Sequence, residues 1–212
     1  MLRRFHKEES GAAMVEMTLA VTLLLILTLG FVDLGHAYFQ WNAATKAVQV
    51  GARLASISDP VATAVTKAGP IDVPGRPMVP GDFGPFECKY TGSAPSCSNG
   101  SDFSPDNFSR IFRGDVPRQD NDSCTAPGVN QRPGICHFFP GLRRNNVVIS
   151  YSASGLGYQT RQAGTVPTIT VSLQNVNFQF FFLNGLLGFG NIVMPSMLST
   201  VTGEDMRNGP PA

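Results

Sequence analysis

From Ser10 to Thr45 the only charged residues are Glu16 and Asp33, with His36 between Asp33 and Thr45. Within that stretch Met17–Val32, MTLAVTLLLILTLGFV, is sixteen residues without a charge, and extending back to Ala12 gives 21 residues interrupted only by Glu16. At about 1.5 Å per residue, 21 helical residues cover about 30 Å, the hydrocarbon thickness of a bilayer. A core helix of a soluble domain would show a polar face, and Met17–Val32 shows none beyond its threonines. Threonine hydroxyls can bond back to the preceding turn, so Thr18, Thr22 and Thr28 are tolerable in lipid. The segment is expected to cross a membrane once. Arg3, Arg4 and Lys7 precede it and Asp33 follows it. The positive-inside rule therefore leaves the amino terminus in the cytoplasm and the carboxyl-terminal part outside.

The start of the chain admits a permanent anchor, a cleaved secretory signal or a specially processed leader. Gly35-His36-Ala37 is a weak small-x-small cleavage site. Against an ordinary signal, the apolar run is long and a helical pattern continues through that point. Ala37, Trp41, Ala44, Val48, Ala52 and Ala55 recur at spacings of three and four, with Gln40, Lys46, Gln49 and Arg53 on other faces. This is an amphipathic helix with a stripe of small apolar residues, suited to packing on the chain's own sheet or on other helices. Asp59-Pro60 should end it near Ser58. No cysteine follows the apolar run, which excludes a lipoprotein leader.

Glu16 favours the processed leader. An ionised carboxylate near the centre of a bilayer costs about 2.5–3.5 kcal/mol on insertion scales, so its presence suggests a function. Gly11 stands five residues before it, behind the polar leader MLRRFHKEES. Cleavage after Gly11 would make Ala12 the first residue and Glu16 the fifth. Glu16 of one subunit could then neutralise the new amino group of its neighbour inside a helical filament, where two unpaired charges would be far costlier than one pair.

The stretch GAAMVEMTLAVTLLLILTLGFVDLGHAYFQWNAATKAVQVGARLAS resembles the amino-terminal helix of the TadE/TadG-type minor pseudopilins of tight-adherence (Flp) pili, in the type IV pilin-like superfamily. The resemblance rests on Gly11 with Glu16, the aliphatic run, Asp33-Leu34-Gly35, and Gly51-Ala52-Arg53-Leu54-Ala55. It implies cleavage between Gly11 and Ala12 by a membrane-embedded prepilin peptidase. It also implies contacts with other pilins and with the inner-membrane assembly platform, and a place in a pilus at the cell surface. Asp33, Gly35 and Arg53 are then family helix positions. Methylation of the new amino terminus is not part of this expectation, because Ala12 stands where many type IV pilins have Phe.

Twelve of the sixteen prolines and all four cysteines lie between Pro60 and Pro140. Proline at this density opposes long helices and central strands, so the segment is expected to be a loop-rich insertion with a few short strands such as Phe86–Tyr90. An exported location permits disulfides. Of the three possible connectivities, the sequential one, Cys88–Cys97 with Cys124–Cys136, is expected. The C-x8-C and C-x11-C spacings lack the close pairs of zinc sites, and Asp102–Asp106 and Asp120-Asn121-Asp122-Ser123 lack the spacing and closing Glu of a calcium loop. No metal or cofactor is expected.

Beyond Pro140, Asn146–Ser152, Pro167–Gln174 and Met197–Thr202 read as strands. Phe178–Val193, FQFFFLNGLLGFGNIV, is short for a second span and is interrupted by Gln179, Asn184 and Asn191. It reads as a core-facing helix or an apolar contact surface, followed after the last strand by a polar tail with Gly209-Pro210-Pro211. The expected fold is α+β: a long amino-terminal helix, transmembrane then amphipathic, packed on a small antiparallel β-sheet. The expected organisation is a leader to residue 11, an assembly helix over 12–58 and a head over 59–212. With 16 basic and 15 acidic residues the chain lacks the basic patch of a nucleic-acid binder. No phosphate loop, nucleophile elbow or H-E-x-x-H motif is present, so no catalysis is expected. The alternative to a pilus subunit is an unprocessed single-span protein that binds a partner in an envelope complex.

Overall fold

The computed structural model describes residues 2–162, 164–187 and 192–206, and within it the side chains of residues 2–10, 186 and 187 are left out of account. The polar tail with Gly209-Pro210-Pro211 and part of the Phe178–Val193 stretch lie outside the described residues. A single helix, α1, covers Leu2–Ser56. It ends two residues before the position expected from Asp59-Pro60, because the last turn closes through Ile57 N–H to the Leu54 carbonyl. The chain forms two units, Met1–Gln40 with Asn177–Ile192, and Trp41–Val176 with Val193–Ala212.

The second unit is built on a five-stranded antiparallel sheet: β1 (Phe86–Thr91), β2 (Ala94–Cys97), β3 (Val147–Ser152), β4 (Thr168–Leu173) and β5 (Met197–Thr202). Their order is β2-β1-β3-β4-β5, and every pairing is antiparallel. In β4 the alternation seen in the sequence becomes a division of faces, with Ile169, Val171 and Leu173 buried. Those residues meet Val201, Ser199 and Met197 of β5 on one side and Tyr151, Ile149 and Val147 of β3 on the other.

The Trp41–Ser56 part of α1 buries the small stripe, with Ala44, Ala47, Val48, Ala52 and Ala55 all at 2% exposure or less. Lys46, Gln49 and Arg53 stay in solvent. Gly51 makes this approach possible. A Cβ there would come within 2.4 Å of Ile135 Cδ1 and 3.1 Å of Val171 Cγ1 on β4. The stripe packs on the chain's own sheet, one of the two placements its composition allowed. Tyr151 is fully buried, and its hydroxyl accepts a hydrogen bond from Val61 N–H at 3.0 Å. Burial pushes that phenol well above its ordinary range.

The proline-rich middle is more integrated than an insertion. It supplies two strands, β1 and β2, and a nine-residue helix, α2 (Pro105–Arg113). This helix is compatible with the prolines because Pro105 occupies its first turn, where no intrahelical N–H is needed. The Ser104 side chain accepts from Asn107 N–H at 3.4 Å to cap it. Gly114 ends it at φ 72° against the Arg132 carbonyl, which would lie 1.9 Å from any Cβ.

Phe108 and Phe112 of α2 enter an aromatic cluster with Tyr90 and Phe103. Arg113, 1% exposed, closes the other side. It donates to the carbonyls of Asn121 and Ser123 and lies over the Phe112 ring. The disulfides join Cys88 to Cys97 across β1 and β2, and Cys124 to Cys136.

Introducing Gly51→Val should force the helix off β4 and cost the head about 1–3 kcal/mol, the usual penalty of overpacking. The unfolding midpoint of the full chain in detergent, followed by near-ultraviolet circular dichroism, should fall for Gly51→Val and stay unchanged for Lys46→Ala.

Candidate functional site

The first unit is an apolar helix surface followed by a polar clamp. Along α1, Met14, Val15, Met17, Leu19, Leu23, Leu24, Leu27, Phe31 and Val32 are each more than half exposed. Gly11–Ser56 is the one helix among the described residues long and apolar enough to cross a membrane. The hydroxyls of Thr18, Thr22 and Thr28 donate to the carbonyls of Met14, Thr18 and Leu25 at 2.7, 2.7 and 3.0 Å. This is the arrangement that makes threonine acceptable in lipid.

Gly11, Ala12 and Glu16 lie on this exposed surface. Glu16 has no ion-pair partner among the described residues. A Cβ at Gly11, Gly30 or Gly35 would meet nothing within 4 Å. Glycine inside a helix costs roughly 1 kcal/mol relative to alanine, so no packing within the chain accounts for these three.

Asp33 marks the end of the apolar surface, and sequence reasoning used it only as a flanking charge and a family position. Its side chain is 0% exposed. One carboxylate oxygen accepts from Phe181 N–H at 2.9 Å, and the other accepts from Phe182 N–H at 2.9 Å and Leu183 N–H at 2.6 Å. These donors lie at and just before the start of a short helix, α3 (Leu183–Leu187), so a distant carboxylate performs the work of an N-terminal cap.

Seven residues along α1, Gln40 completes the attachment. Its amide donates to the Gln179 carbonyl at 2.8 Å and accepts from Gln179 N–H at 2.9 Å. Sequence periodicity had set Gln40 on a polar face; it is 7% exposed because this two-way bond satisfies it. His36, between the two on the same helix face, packs against the Phe181 ring with centroids 4.6 Å apart.

Asn177–Ile192 therefore forms one compact unit with Met1–Gln40. Within the Phe178–Val193 stretch Phe181 is 64% and Phe182 40% exposed, the apolar contact surface of the two alternatives the sequence allows. The signal for this attachment was present as Asp33 and Gln40 at a seven-residue spacing, but nothing in the sequence identified backbone groups 139–150 residues away as their partners.

In the head, the polar groups that could suggest a second site serve structural roles. Cys124, Cys136 and His137 lie together because the two sulfurs are bonded to each other. The His137 ring accepts from Gly134 N–H at 3.0 Å through Nδ1 and donates to the Thr125 carbonyl at 2.8 Å through Nε2. The acidic clusters are neutralised by arginines: Asp106 and Asp120 by Arg118, and Asp122 by Arg144. A cleft after α2, lined by Asp106, Arg110, Asp115, Arg118 and Arg132, has its charges paired in the same way. Hydrogen bonding from Arg132 holds the Asp115 carboxyl below its ordinary range.

Asp33→Ala should leave three amides without an acceptor. Hydrogen–deuterium exchange of Phe181, Phe182 and Leu183 in the detergent-solubilised chain should then speed up, with β3 and β4 protection unchanged.

The family model for TadE-like proteins matches residues 11–53. No curated protein and no solved structure matches the chain. The matched segment starts at the glycine of the exposed surface, includes Glu16, Asp33 and Gln40, and closes at Arg53. Over residues 11–53 the chain is similar to TadE-like proteins.

Proposed function

We propose that this protein is a minor pseudopilin of a tight-adherence pilus system. A prepilin peptidase removes the leader after Gly11, and the helix that begins at Ala12 passes from the inner membrane into the pilus, where the protein primes, caps or presents an adhesive head. Other pilins, the peptidase and the inner-membrane assembly platform are its partners. The role is structural and not enzymatic.

The observation that carries this reading is the exposed, apolar, TadE-like helix with Glu16 as its one charge between Gly11 and Val32. A side chain that costs several kcal/mol in lipid and has no described partner within the chain calls for one on another molecule. The amino group released on a neighbour's Ala12 supplies it. Gly11, Gly30 and Gly35, with no packing role in the monomer, allow close approach by the peptidase or by neighbouring helices. The head stays folded outside the cytoplasm through two disulfides, each expected to contribute about 2–4 kcal/mol.

The mature amino terminus tests the reading. Mass spectrometry of protein from cells with the peptidase should find a chain starting at Ala12, and from cells without it a chain retaining the leader; Gly11→Ala should block processing. An intact leader in the presence of the peptidase would leave the anchored, unprocessed envelope protein as the better description. Glu16→Ala should still be cleaved, but incorporation into sheared pili should drop by at least about tenfold, since it leaves an unpaired charge in the filament.

A further inference from the structure

We propose that the Asn177–Leu187 segment is a second membrane-contact element, an aromatic wedge that α1 holds in the headgroup region of the outer leaflet. The inference rests on the reading of α1 as a membrane-spanning helix, and it names the lipid interface as the occupant of the exposed Phe181–Phe182 surface.

Three observations support the lipid interface. The first is continuity: the uncharged run of α1 ends at Val32, and Asp33, the next residue, is where the segment is fastened. The attachment points Asp33 and Gln40 are seven residues apart, about 10 Å of helix axis. That covers the several ångström of polar interface beyond each side of the hydrocarbon. The second is composition: Asn177–Leu187 carries no charged residue, and its Phe181 and Phe182 are exposed. Tyr38 and Phe39, 70% and 62% exposed, stand at the same level of the helix. Aromatic residues gathered at one depth form the usual interfacial belt.

The third observation is backbone satisfaction. Irregular backbone is tolerated near lipid only where its polar groups are satisfied internally. Here Asp33 and Gln40 satisfy the N–H groups of Gln179, Phe181, Phe182 and Leu183 and the carbonyl of Gln179. The Phe178 N–H donates to the Ile192 carbonyl at 2.8 Å. The segment can therefore present rings to an apolar phase with the amides of Phe178, Gln179, Phe181, Phe182 and Leu183 already bonded.

Depth-dependent fluorescence quenching tests this in the full chain. Trp41 is the single tryptophan, so Trp41→Phe provides a dark background. Phe181→Trp, and separately Leu24→Trp within the span, are placed on it and reconstituted into phosphatidylcholine vesicles with brominated acyl chains. Both indoles should be quenched by the brominated lipid. Adding Asp33→Ala should reduce quenching of the Phe181→Trp indole by about twofold or more and leave the Leu24→Trp indole unchanged.

Quenching at Leu24→Trp with none at Phe181→Trp would overturn the wedge and leave the spanning helix in place. No quenching at either position would overturn both. An indole at Phe181→Trp that is unquenched by lipid, yet shielded from aqueous iodide in a concentration-dependent way, would overturn the wedge in favour of a second copy of the chain. Quenching unaffected by Asp33→Ala would remove Asp33 from the mechanism.

Discussion

The head depends on a missing side chain. Where α1 crosses β4, Gly51 leaves no atom between the helix backbone and Val171. Ala44, Ala47, Ala52 and Ala55 extend the same close approach along the helix. Larger residues would bury more apolar area per position, at roughly 25 cal/mol per Å², but would hold the helix away from the sheet. The small stripe exchanges area per side chain for backbone proximity, and Val48, Ile135, Ile149, Ile169 and Val171 fill the space around it.

Arginine does for the polar part of the head what glycine and alanine do for the apolar part. The Pro60–Pro140 segment buries two guanidinium-bearing surfaces and stays ordered because each has several acceptors. Arg113 reaches the Asn121 and Ser123 carbonyls. Arg144, just beyond that segment, bonds the Asp122 carboxylate and the Asp120 carbonyl and lies over the Tyr90 ring at 4.7 Å. A planar fork with five donors can serve carbonyls, a carboxylate and an aromatic face together, which lysine cannot. The Asp120–Ser123 turn supplies the acceptors of this network.

Legibility followed the range of the interactions. The long apolar helix, the three carboxyl-terminal strands, Phe86–Tyr90 and the small-residue stripe were readable because each rests on a local period or a run of one residue class. Helix α2 was obscured: the proline that argued against helices in that region is the residue that starts it. The attachment of Asn177–Ile192 was not readable. Asp33 and Gln40 act on backbone amides and a carbonyl, and these are common to all sequences and leave no mark on residue choice. Asp33 was legible as a charge at a boundary and Gln40 as a polar helix position, but their shared task appears only when the chain is folded.

Because α1 turns about 100° per residue, positions seven apart fall within about 20° of one another, so Asp33 and Gln40 address the same line on the helix. A rotation of α1 by a single residue's worth of angle would carry both away from Phe181–Leu183 and Gln179 together. The segment is thus docked in one rotational phase only, like a key that fits a shaft at one angle. Through that fit the segment takes a defined azimuth on α1, and so a defined angle to the side of the helix on which Gly11 and Glu16 lie.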